Sequence, residues 1–91
     1  VDQKSVNKLS YEERKELARQ IKRVEKQISD IEKSIESKEN EIAEIELKLT
    51  TPEGAADASL FERHGLLSKE LEDDMLKWEE LTVELQNISK D

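Results

Sequence analysis

Residues 28–42 read ISDIEKSIESKENEI. Isoleucines stand at 28, 31, 35 and 42, separated by three, four and seven positions. Alternating steps of three and four line side chains up on one stripe of a helix, so the rhythm calls for an apolar residue at 38. The chain has Lys38 there. What lies opposite that lysine is the question on which the register of the fold turns.

Traced outward, the stripe comprises Leu17, Ile21, Val24, Ile28, Ile31, Ile35, Lys38, Ile42, Ile45 and Leu49. This is a heptad seam, the pattern that draws helices into a left-handed supercoil. Ser10 and Glu13 have the spacing of a capping box just before it, so the spacing predicts a first helix over residues 10–49. Residues 1–9, VDQKSVNKL, have no apolar period and read as a basic linker. After Leu49 comes TTPEGAAD, in which Pro52 disfavours helix at Thr51 and Gly54 loosens the residues after it, giving a turn over 50–58. Asp57 or Ser59 then caps a second helix over 59–89, Ser59 by a capping box with Glu62. Its seam is Leu60, His64, Leu67, Leu71, Asp74, Trp78, Leu81, Leu85 and Ile88, and Gly65 is the point where it would break or fray.

Two seams joined by a short connector imply an all-α fold, a two-helix antiparallel coiled-coil hairpin with a short N-terminal linker. With Leu49 opposite Leu60, facing residue numbers sum to 109, and Lys38 and Asp74 fall in neighbouring layers. Each seam then has one charged interruption and the two meet. One reading is an interhelical Lys38–Asp74 pair that sets the register at some cost in stability. The other is a lysine whose stem runs along the seam while its ammonium reaches water unaided.

The composition suits that architecture. Charged residues make up 42% of the 91, hydrophobic ones 34% and aromatics 3%, enough to cover one partner helix but not to enclose a catalytic pocket. The absence of cysteine excludes disulfides and thiolate metal sites, and a reducing cytoplasm is the expected location. No apolar run is long enough to span a membrane. His64 lies in the seam without partners at ligand spacing, the serines are scattered, and the two glycines form no phosphate-cradling loop. No enzymatic site or cofactor is expected within these residues, and no metal. Both ends read as cuts, so a single domain of a larger protein is expected.

The net charge of −8 is uneven. Residues 1–26 hold eight Lys or Arg against five Asp or Glu, +3, and residues 27–91 hold seven against eighteen, −11. An anionic partner would therefore bind near the beginning. Lys8, Lys15, Arg19, Lys22, Lys26 and Lys33 share one face of the first helix, with Arg14 and Arg23 to the side and Lys4 in the linker. Such a row can track the phosphates of a nucleic acid; it is equally the pattern of a solvated face with local ion pairs. Glu25, Glu32, Glu39 and Glu46 recur every seven residues beside the seam, where charges commonly tune pairing. Phe61 and Met75, just outside the second seam, are expected to broaden the contact between the helices.

The opening KLSYEERKEL (8–17), the turn LTTPEG (49–54) and the closing MLKWEELTVEL (75–85) together resemble the C-terminal coiled-coil domain of ABC-F type ATP-binding cassette proteins, which have two ATPase cassettes and no membrane domain. Lys8, Leu9, Ser10, Tyr11, Glu13 and Leu17 match the opening motif, Trp78 and Leu81 the closing one, and Glu12 stands where the family often has a basic residue. The resemblance implies a non-catalytic hairpin arm that binds DNA or ribosomal RNA, and the charge distribution gives Lys4, Lys8, Arg14, Lys15, Arg19, Lys22, Arg23 and Lys26 as the residues that would make the contact. It implies also that ATP and magnesium belong to the cassettes of the parent protein. Binding by the isolated arm is expected to be weak and salt-sensitive, and the arm mostly monomeric with weak self-association. The alternative is a structural coiled-coil module that binds another protein and no nucleic acid.

Overall fold

A computed structural model describes residues 10–89. The expected linker, with Lys4 and Lys8, lies outside the described residues. Helices are the regular structure of the described residues, with α1 at Tyr11–Leu49, α2 at Pro52–Ala55 and α3 at Ala58–Ser89. The two long helices pack along each other into a narrow rod about 15 by 14 Å in cross-section. At 1.5 Å per residue, the 39 residues of α1 are ~58 Å long.

The start of α1 is set by two side chains. Ser10 keeps extended backbone angles and its hydroxyl accepts from the Glu13 amide at 3.1 Å. The Glu13 carboxylate accepts in return from the Ser10 amide at 3.1 Å. Two otherwise unpaired amides are satisfied, and these hydrogen bonds hold the Glu13 carboxyl below its ordinary value.

Burial falls where the heptads place it. All ten seam positions of α1 and all nine of α3 are buried or half-buried. Val24, Ile45, Leu67 and Leu81 are the fully buried members, Leu67 most of all at 1% exposure. Side-chain contacts between the helices pair Glu46 with His64, Glu41 with Arg63, Lys38 with Asp74 and Glu32 with Trp78. Glu41 and Glu46 thus meet Arg63 and His64 early in α3, while Lys38 and Glu32, earlier in α1, meet Asp74 and Trp78 later in α3.

The connector departs from the expected turn, because α2 is a turn of helix inside it. Pro52 sits at the first helical position, where its missing N–H costs nothing, and Thr51 is the cap. The Thr51 hydroxyl donates to the Lys48 carbonyl at 2.7 Å and accepts from the Gly54 amide at 3.0 Å. The Thr50 hydroxyl donates to the Leu47 carbonyl at 2.6 Å. The two threonine hydroxyls thus reinforce, on the last carbonyls of α1, the hydrogen bonds that their own backbone amides make. Gly54 does not loosen this segment. It is buried, and a methyl group there would overlap the Lys48 carbonyl, so glycine is what lets α2 close against α1.

Asp57 caps α3: its carboxylate accepts from the Ser59 amide at 2.9 Å and the Ser59 hydroxyl at 2.6 Å. Those bonds lower the Asp57 pKa. Ser59 is already inside the helix, and α3 runs unbroken through Gly65. Glycine there costs conformational entropy without a compensating close approach, because a Cβ would meet nothing within 4 Å. Gly65→Ala is therefore expected to raise stability by about 0.5–1 kcal/mol, read as a higher thermal midpoint by circular dichroism. An unchanged or lower midpoint would mean that helix propensity is not limiting at this position.

Candidate nucleic-acid interface

The first four turns of α1 carry Arg14, Lys15, Arg19, Lys22, Arg23 and Lys26, all exposed. Lys15, Arg19, Lys22 and Lys26 lie opposite the buried seam on the heptad, and Lys33, also exposed, continues their line. The row is thus presented to solvent by the same packing that hides Ile21, Val24 and Ile28.

Its electrostatics are local. Arg19 pairs with Glu16 at 3.2 Å and Lys26 with Asp30 at 3.1 Å, both between exposed side chains one turn apart. The Lys15 ammonium sits 5.8 Å from the centre of the Tyr11 ring rather than with Glu12. Exposed pairs of this kind are weak and salt-screened, so a phosphate can exchange with their carboxylates. Tyr11, 76% exposed beside these cations, adds a flat ring on which a base can stack. In the sequence it served only as part of the opening motif; its isolation from the seam was the signal for an exposed ring.

Lys38 and Asp74 meet, with a third partner. The ammonium donates to the Asp74 carboxylate at 2.6 Å and to the Ser34 hydroxyl at 2.6 Å, and Ser34 donates to the same carboxylate oxygen at 2.7 Å. The lysine and aspartate side chains are 21% and 17% exposed. The hydrogen bond from Lys38, then that from Ser34, holds the Asp74 carboxyl below its ordinary value against the opposing effect of burial. Ser34 escaped the sequence reading because a serine beside a seam carries no periodic signal.

The remaining polar residues join the helices. Glu32 of the heptad-spaced glutamate row accepts from the Trp78 indole N–H at 3.0 Å. Glu46 lies 3.0 Å from His64 Nε2, and Glu41 pairs with Arg63 at 2.9 Å, which raises the arginine pKa. Among the described residues, no three His, Asp or Glu side chains form a group that could hold a metal ion. Among the same residues, no helix is long and apolar enough to cross a membrane. No family model matches the chain, and comparison with curated proteins and with solved structures gives no match.

Proposed function

We propose that this chain is an antiparallel coiled-coil hairpin arm of an ABC-F type cytoplasmic ATPase, without catalytic residues of its own. In this reading it helps to place the cassettes on ribosomal RNA or DNA. The series Glu46–His64, Lys38–Asp74 and Glu32–Trp78, which runs back along α1 as it runs forward along α3, supports the hairpin. The residue numbers of three of the four pairs sum to 110, 110 and 112, near the 109 of the heptad alignment, while the exposed Glu41–Arg63 pair sums to 104. The observation that carries the nucleic-acid reading is the exposed basic row beside Tyr11. It lies at the end of α1 next to the linker, where the arm would join its cassettes. With an acidic remainder, contact is limited to this end, and affinity is weak and salt-dependent.

Fluorescence anisotropy with labelled structured RNA and with branched and duplex DNA, from low to physiological salt, tests the reading. Binding is expected to weaken as salt rises. Arg19→Gln/Lys22→Gln/Lys26→Gln is expected to lower affinity about tenfold at low salt and to flatten the salt slope by about 2–3. The stronger of the RNA and DNA signals assigns the nucleic acid. Absence of salt-sensitive binding to every probe would leave the protein-binding module, which exposed apolar residues on α3 favour.

A further inference from the structure

The outer side of α3 carries exposed apolar residues that neither the seam nor the basic row uses. Met75 and Leu76 do not broaden the contact between the helices. They stand exposed, Leu76 at 60%, and with Ile35 and Trp78 they line a shallow groove along the rod. Glu72 and Glu79 form its edges. One heptad further along, Val83 is 54% exposed beside Glu79 and Glu80 of the preceding turn. The hydrogen bond from the Trp78 indole to Glu32 fixes the ring that forms one wall.

We propose that this groove docks a helix from another protein chain, with apolar residues on one face and lysine or arginine flanking them. Leu76 and Val83 are seven residues apart, the repeat that a third helix lying along the rod would match. The side chains that edge the groove are all glutamates, so the occupant needs positive charge beside its apolar stripe. A nucleic acid is repelled by that rim. A second copy of this chain is a poor occupant. Its cationic face (Lys15, Arg19, Lys22, Lys26) has no apolar residue between the charges, and its own apolar strip would bring two glutamate rims together. The groove therefore selects a basic amphipathic helix, and the proposal stands whether or not the basic row binds nucleic acid.

The test uses the full chain and a fluorescein-labelled synthetic peptide of about three heptads, with leucines at a and d and lysines flanking them. Saturable binding is expected, accompanied by a change in the emission of Trp78, the one tryptophan, which lines the groove. Leu76→Ser/Val83→Ser is expected to weaken binding about tenfold or more. Glu72→Gln/Glu79→Gln is expected to weaken it and reduce its salt dependence, and a peptide with glutamates in place of the lysines is expected not to bind. All four positions are exposed, so unchanged thermal melts show that the fold is kept. Absence of saturable binding overturns the proposal. So does affinity unaltered by Leu76→Ser/Val83→Ser, which would mean diffuse attraction to an acidic surface. Self-association of the unmodified chain in analytical ultracentrifugation, lost in the same variant, would make a second copy the occupant and overturn it too.

Discussion

Gly54→Ala is expected to lower the stability of the chain by about 2–3 kcal/mol, on the order of 10–20 °C in the thermal midpoint. The added methyl would meet the carbonyl group of Lys48 and come within 3.0 Å of the Thr51 hydroxyl oxygen. A long side chain could swing away, but this obstruction is backbone in the last turn of α1, already engaged by the Thr51 hydroxyl. Relief requires α2 to move off α1, which breaks the bond from the Thr51 hydroxyl to the Lys48 carbonyl and exposes the closed end of the rod. Backbone angle plays no part, since no residue of the described chain has a positive φ. Thermal and denaturant melts monitored by circular dichroism check the effect. A melt equal to that of the unmodified chain would show that the turn can shift without cost. Together with Gly65→Ala the experiment is internally controlled: the same substitution, in helices of one chain, has opposite expected signs.

Asp74→Leu is expected to cost about 2 kcal/mol. Fully buried pairs lose more when one partner is removed, but both side chains here retain about a fifth of their exposure, and the lysine can extend toward water. Lys38→Leu/Asp74→Leu is expected to recover that loss or exceed it, since two apolar residues then complete the layer. The sign of the recovery separates the two readings of Lys38. A coupled pair gives a double variant more stable than the sum of the single changes, whereas a lysine supported by water gives additive effects. The same contact predicts a pH dependence. The folded-state pKa of Asp74 lies below its ordinary value of 3.8, so its contribution is present above that value and is lost as pH falls through the folded pKa. Glu13 and Asp57 are shifted the same way, so acid is expected to weaken both helix starts and the polar layer together. Asp74→Asn should flatten the acid limb of stability against pH. An unchanged limb would place the acid sensitivity at the helix caps.

How far the fold was legible depends on which features leave a periodic trace. A seam residue recurs in steps of three and four, so its place could be read even where it is charged, as at Lys38 and Asp74. The capping box was legible because Ser10 and Glu13 must stand three apart. Contacts that depend on three-dimensional approach leave no such trace. Ser34 joins the polar layer from a flanking position, and Gly54 is dictated by a carbonyl six residues earlier. Asp57 and Ser59 were equivalent candidates for one cap until backbone direction chose between them. The places of Met75 and Phe61 just outside the seam imply wider packing, but two slender helices meet along too narrow a strip to cover them. Of the candidate interface, the basic row was readable as a face, while the position of Lys15 over the Tyr11 ring was not.

The linked polar layer also bears on how such a rod carries load. In the proposed hairpin the chain connects the helices at α2, and Ser34, Lys38 and Asp74 lie between that connection and the open end near Leu17 and Ile88. A force prying the open end apart would release apolar layers one after another and then reach two short hydrogen bonds, from Ser34 and Lys38 to Asp74, whose rupture leaves two unmatched charges. A force along the axis would strain all layers at once. The rod is thus stiff when pushed from its tip, opens from its base, and carries partway along a latch that limits how far the opening spreads.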